Sequence, residues 1–173
     1  MPFFPHRLAA LAGLLLITTP FTRPLAAAQP TEVAAEVGRY SILDADKGAE
    51  AGWELRFAPR RFRLQPRWLP DVTPMGGAMA TARGSLYAYA GFGLDLTLGH
   101  GWFLRPSWAA GLFHQQRDLH LGGPVEFRSA LELSHRLKAG ARLGLVFYHL
   151  SNGGLYRRNP GTESLVVTFV ARP

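Results

Sequence analysis

Three side chains near the C-terminal end have the types that ester hydrolysis uses: His149, Ser151 and Glu163. A hydroxyl is a weak nucleophile until a neighbouring imidazole takes its proton. A carboxylate on the far ring nitrogen then fixes the imidazole tautomer and stabilises the cation that forms. All three residues fall within fifteen positions, in His149-Leu150-Ser151-Asn152-Gly153-Gly154 and the following Asn159-Pro160-Gly161-Thr162-Glu163. The tetrahedral oxyanion needs donors close by. Asn152 and Asn159 offer side-chain amides, and Gly153 and Gly154 offer backbone N–H groups in unusual dihedrals. Arg157 and Arg158 bring positive charge into the same loop, suited to an anionic head group. Singly, each motif reads as ordinary turn sequence, and a histidine near a strand end serves an interface as readily as a reaction.

The elements that must position these residues are strands. Leu143, Leu145 and Phe147 alternate up to the motif, and Leu165, Val167 and Phe169 alternate after it. Side chains two apart on a strand share a face, so His149 and Ser151 lie with the first set and Glu163 with the second. If the hairpin is symmetric about Tyr156, His149 stands opposite Glu163, about 4.8 Å away across the strand pair. The charged Glu163 has no structural reason to share an apolar face. Polar groups there are costly unless they bond one another, and a site on an apolar outer wall implies a lipid substrate.

Period two runs through the rest of the chain. From Leu86 to Leu98 every even position is apolar, whereas Tyr87, Tyr89, Asp95 and Thr97 occupy the odd face. Strands are expected near 31–42, 50–58, 66–79, 84–98, 101–114, 124–136, 139–151 and 162–171, with Pro70 and Pro74 forcing a bulge or edge-like start in the third. A soluble sandwich or lipocalin-like barrel also alternates. Here, however, the polar face carries bulky charges of both signs, Glu54 with Arg56 and Glu126 with Arg128, which suit the filled interior of a small membrane barrel. Trp53, Trp102 and Trp108 are expected at strand ends, as interface girdles. The fold class is therefore all-β, an eight-stranded antiparallel transmembrane barrel. Leu94, Leu96, Leu145 and Phe169 should face lipid, and Glu126, Arg128, Glu132 and Arg142 should line the interior. With both termini periplasmic, the loops near 43–49, 80–84, 114–124 and 151–162 face outward, placing the motif at the level of the outer leaflet.

The N-terminus reads as a secretory signal. Basic Met1–Arg7, apolar Leu8–Ile17 and small residues ending at Ala28 predict cleavage there and a single barrel domain over 29–173. A retained anchor is the competing reading, disfavoured by the short apolar core. The chain has no cysteine, which excludes disulfides and thiolate chemistry. Its net charge is +7; Arg7 and Arg23 leave with the signal, so the mature chain carries +5. On an exported chain that surface favours acidic lipid or lipopolysaccharide over nucleic acid.

His149-x-Ser151-Asn152 followed by Asn159-Pro160-Gly161-x-Glu163 resembles the signature of the lipid A 3-O-deacylase family of Gram-negative outer membranes. The stretches Gly84-Ser85-Leu86-Tyr87-Ala88-Tyr89-Ala90 and Glu126-Phe127-Arg128-Ser129 are similar to that family as well. The resemblance implies an outer-membrane, eight-stranded barrel that hydrolyses the ester-linked acyl chain at the 3-position of lipid A. By motif position Ser151 is nucleophile, His149 base and Glu163 the orienting acid, with Asn152 and Asn159 near the oxyanion. The chain ends Phe169-Val170-Ala171-Arg172-Pro173, where many outer-membrane barrels end on an aromatic.

Two other functions compete: a non-catalytic barrel for adhesion or envelope stability, and an outer-membrane phospholipase or general esterase. No cofactor and no metal are expected. His114 and His120 flank an outer loop, and His100 sits in a periplasmic turn, all read as solvated residues. The expected partners are lipid A as substrate and the lipids of the outer membrane. Nothing in the sequence sets an oligomeric state or a preferred acyl length.

Overall fold

The computed structural model describes residues 30–44 and 47–173. The signal segment expected over 1–28 lies outside the described residues. Nine strands follow one another: β1 (Glu32–Tyr40), β2 (Gly48–Arg56), β3 (Val72–Thr81), β4 (Leu86–Leu94), β5 (Leu96–Gly99), β6 (Trp102–His114), β7 (Val125–Arg136), β8 (Arg142–Ser151) and β9 (Thr162–Ala171). β4 and β5 are halves of one barrel strand. Both pair with β6 in one register, Gly93 with Ser107 before the break and Leu96 with Leu104 after it. Pro106 lies opposite the break and has no N–H to give, which interrupts the ladder there. Every pairing is antiparallel, and β1 pairs with both β2 and β9, so the sheet closes into an eight-stranded barrel.

The alternation read from the sequence sorts the faces as expected. Glu126, Arg128, Glu132 and Arg142 are buried inside, whereas Leu145, Phe147, Leu165 and Phe169 are exposed on the outer wall. Leu94 and Leu96, on the same outer face, are half-buried. The interior is filled. Arg56 binds Glu54 at 2.8 Å and Glu132 at 2.5 Å, and Arg128 stands between Glu36 and Glu54, over the rings of Tyr89 and Tyr148. Arg142 makes a two-pronged bond to Glu32. Burying the charges of these pairs is tolerable because each faces an opposite charge, whereas the Glu126 carboxyl is buried with no partner among the described residues. Toward the outer end the filling turns apolar, with Tyr87, Tyr148 and Leu150 buried together with Leu119 and Leu121 of the β6–β7 loop.

The strands are staggered around the barrel. A row perpendicular to them runs from Val33, near the start of β1, through Leu55, Gly76, Ala90, Ala110 and Phe127 to Ser151, the last residue of β8. The row thus climbs from the barrel end that carries the start of β1 to the opposite end, as strand tilt in a closed barrel requires.

Three expectations are corrected. The third strand begins at Val72, not near residue 66; Pro66 and Pro70 keep the preceding segment out of the ladder, and an ion pair of Arg61 with Asp71 ties it into a loop. The seventh begins at Arg142, because Ala139 (φ 60°) and Gly140 (φ 81°) complete a tight turn first. Of the tryptophans expected at strand ends, only Trp102 is at one. Trp53 and Trp108 lie within their strands, where parity alone turns them to the outer wall.

Candidate active site

β8 and β9 carry the site on their outer ends. Their register pairs His149 with Glu163, as a hairpin symmetric about Tyr156 requires. His149 Nδ1 lies 2.9 Å from Glu163 Oε1. An ionised carboxylate only accepts, so Nδ1 is the donor in this bond; in a neutral imidazole that leaves Nε2 with its lone pair. The pair is partly exposed on the lipid-facing wall, with 42% of the His149 side chain and 25% of Glu163 accessible. Ser151 shares that face, two residues beyond His149 on β8. Among the described residues its hydroxyl makes no hydrogen bond, so the third link of a triad is not closed. Such links commonly tighten only when substrate is bound.

The two asparagines play different parts. Asn152 has even parity and is fully buried in the barrel mouth. Its amide donates to Leu121 O (2.8 Å) and Arg158 O (2.7 Å), and its Oδ1 accepts from Gly154 N (3.0 Å). Both amide hydrogens are therefore engaged. Asn159 is exposed, and its Oδ1 accepts from Asn152 N at 3.0 Å, which leaves its Nδ2 turned away from that bond. Gly153 (φ 61°) and Gly154 (φ 82°) turn the chain out of β8. Among the described residues the Gly153 N–H has no partner, whereas that of Gly154 is spent on Asn152. Arg157 and Arg158 are exposed on the loop.

The loop is braced by its neighbour, residues 115–124. Beyond the Asn152–Leu121 bond, Gly122 approaches Arg158 O so closely that a Cβ would stand 2.2 Å from it, and Gly123 lies flat against the Tyr156 ring. Tyr156 Oη accepts from Val125 N at 3.3 Å. Asp118 anchors the brace, accepting from Ser85 Oγ at 2.5 Å and Tyr40 Oη at 3.0 Å. Partial burial pushes the Asp118 carboxyl up, but bonds from Ser85, Thr81, the Leu119 backbone and Tyr40 outweigh it and hold the group down at about 2.

Sequence reasoning missed three neighbours. Gly161 (φ 69°) lies beside the imidazole, and a Cβ there would come within 2.8 Å of His149 Cε1. Ser129 is the register partner of His149 on β7, and Phe127 that of Ser151. The parity of Ser129, on the apolar face with Phe127 and Leu131, was a signal that could have found it. His100, His114 and His120 are exposed, and among the described residues no group of three or more potential ligands could hold a metal.

The family model for PagL, described as lipid A 3-O-deacylase, matches residues 47–172. The chain belongs to the lipid A 3-O-deacylase family. As a member it is an outer-membrane β-barrel. It is similar in fold to the crystal structure of the outer membrane enzyme PagL, with a TM-score of 0.62 at 20% identity, over 82% of this chain and 99% of that one. It is also similar to Neisserial surface protein A, with a TM-score of 0.56 at 11% identity, over 82% of this chain and 96% of the other. No curated protein sequence matches it.

Proposed function

We propose that this barrel hydrolyses the 3-O-linked acyl ester of lipid A through Ser151, His149 and Glu163. The observation that carries the reading is the His149–Glu163 hydrogen bond on the lipid-facing wall, with Ser151 on the same face. A polar, hydrogen-bonded pair that includes a carboxylate is costly to expose to hydrocarbon and serves no packing purpose.

Ser151 Oγ attacks the ester carbonyl and yields its proton to His149 Nε2, while Glu163 holds Nδ1–H and stabilises the imidazolium. The oxyanion is received by Asn159 Nδ2, oriented by the Asn152 N–H bond to its Oδ1, and by the Gly153 N–H. Collapse breaks the bond to the sugar oxygen, which takes the proton from His149 and leaves an acyl-serine. A water, deprotonated by the same imidazole, then releases a 3-hydroxy fatty acid. Asn152 organises the loop rather than touching substrate, since both its amide hydrogens are taken. Arg157 and Arg158 attract the anionic head group.

The test is mass spectrometry of lipid A from Gram-negative cells expressing the wild-type protein or Ser151→Ala. Loss of one hydroxyacyl chain with the wild type alone supports the reading. Altered phospholipids instead would move the substrate, and identical lipids in both strains would make the barrel non-catalytic. Purified protein should keep its activity in a chelator; activity restored only by calcium would overturn the serine mechanism.

A further inference from the structure

The turn between β2 and β3 is long for its place. Fifteen residues, 57–71, separate the two strands, against two and five at the other turns of the same barrel end. Turns at the end that carries the termini are ordinarily short in such barrels. This one reads Phe57-Ala58-Pro59-Arg60-Arg61-Phe62-Arg63-Leu64-Gln65-Pro66-Arg67-Trp68-Leu69-Pro70-Asp71, with four arginines against one aspartate and a net charge of +3.

Among the described residues, Arg61 alone of the four arginines is spent inside the turn. Its Nε donates to Asp71 Oδ1 at 2.7 Å and its Nη2 to Leu69 O at 2.9 Å. Gln65 Oε1 accepts from Phe62 N at 3.1 Å, and its Nε2 donates to Pro70 O. The turn is thus an ordered platform, with little conformational entropy left to lose when something binds it. It presents Arg60, Arg63 and Arg67, all exposed and, among the described residues, without an ion pair. Beside them stand Phe62, Leu64 (93% accessible) and Trp68 (82%).

We propose that residues 57–71 form an interfacial anchor that binds the anionic head groups of glycerophospholipids in the leaflet opposite the candidate site. The esterase reading puts that site in the lipid A leaflet, and on that reading this end meets the leaflet of glycerophospholipids. Placement supports a lipid. Arg60 bridges to Val72, which pairs with Leu94 on the outer wall. Partners across an antiparallel pair project to one face, so Arg60 leaves the barrel rim on the lipid side. Composition supports a lipid too. Guanidinium groups interleaved with tryptophan, phenylalanine and leucine suit the boundary between head groups and acyl chains, where the apolar side chains enter hydrocarbon and the arginines meet phosphate. In water the same three apolar side chains stay exposed at a cost. An acidic protein would answer the charge but not the direction in which Arg60 leaves the wall.

The experiment places the purified protein in nanodiscs of phosphatidylcholine, with or without phosphatidylglycerol. It follows chymotrypsin cleavage after Phe62 and Trp68, normalised to a soluble peptide substrate in the same sample. Nanodiscs show the same lipids on both faces, so neither the direction of the barrel nor its hydrolytic activity enters the result. Each arginine near an anionic surface contributes roughly fivefold in binding. Cleavage should therefore slow by up to about 100-fold with phosphatidylglycerol and recover in ~1 M salt. Arg60→Gln with Arg63→Gln and Arg67→Gln keeps both cleavage sites and should be cut at one rate in both discs, with its fold checked by circular dichroism. Equal cleavage of the wild type in both discs would overturn the anchor. So would equal protection in both, which means burial without head-group recognition, and so would protection that persists in the triple variant. Soluble polyglutamate that protects the turn in phosphatidylcholine discs as well as phosphatidylglycerol does would assign the surface to an acidic protein instead.

Discussion

Replacing Glu163 by Gln keeps the shape of the His149 partner and removes its charge. The bond it alters is a single one, His149 Nδ1 to Glu163 Oε1 at 2.9 Å. A hydrogen bond to a charged group contributes about 1.5–3 kcal/mol. Since about 1.4 kcal/mol is tenfold in rate, that loss corresponds to a ~10–150-fold drop in kcat. The pair is partly exposed, so the carboxamide introduced by Glu163→Gln can also turn its NH2 toward Nδ1 and trap the wrong tautomer, which pushes the loss to the upper end. Ser151→Ala and His149→Ala remove a reacting group and should fall much further, by ~10⁴-fold or more, to the background left by binding and oxyanion donors. The assay is release of hydroxy fatty acid from lipopolysaccharide by purified protein in detergent, with kcat and KM measured separately. Glu163→Gln should lower kcat and leave KM nearly unchanged, because the carboxylate meets the imidazole and not the substrate. Wild-type kcat in Glu163→Gln, or residual hydrolysis in Ser151→Ala equal to the wild type, would refute the triad.

Asn159→Ala should lower kcat by ~10²–10³-fold, the usual loss of one oxyanion donor, with the loop still folded. Asn152→Ala should lower it as well but also open residues 152–161 to limited proteolysis, which Asn159→Ala should do far less. Gly161→Ala must place a Cβ 2.8 Å from His149 Cε1 at a φ of 69°. It should cost about 1–2 kcal/mol of local strain and lower kcat by ~100-fold through a displaced imidazole, readable as a kcat loss larger than its change in melting temperature. Asp118 sits at about 2 in the fold against an ordinary 3.8, so its stabilisation of the 115–124 brace is complete above that ordinary value and drains as pH falls through about 2. Hydrogen-exchange protection over residues 115–124, measured against the intrinsic rate at each pH, should fall in that window in the wild type, and already at neutral pH in Asp118→Ala.

Alternation made the barrel legible because a strand has only two faces. The parity of Leu143, Leu145 and Phe147 put His149 on the outer wall, and the near-symmetry of the last hairpin about Tyr156 set its register against Glu163. The same parity would have turned Asn152 inward; treating both asparagines as loop amides hid the difference between a buried brace and an exposed amide. The break at Asp95 depended on Pro106 in the neighbouring strand, a pairing invisible along the chain. Leu119, Leu121 and Asp118 read as an ordinary polar loop, because their role comes from contacts with Ser85, Tyr40 and Asn152 that are distant in sequence. Gly161 is one glycine among many until the imidazole beside it is seen.

The filled interior decides what kind of concentration this protein senses. Arg56, Glu132 and Arg128 occupy the lumen, and Leu119 and Leu121 close its outer end, so nothing reaches the candidate site through the barrel. Ser151 and His149 meet only what drifts past the wall in the plane of the leaflet. Turnover then obeys surface-dilution kinetics. The Michaelis constant becomes a mole fraction of substrate in the bilayer or micelle, and adding inert detergent at constant substrate slows the reaction although the bulk concentration is unchanged.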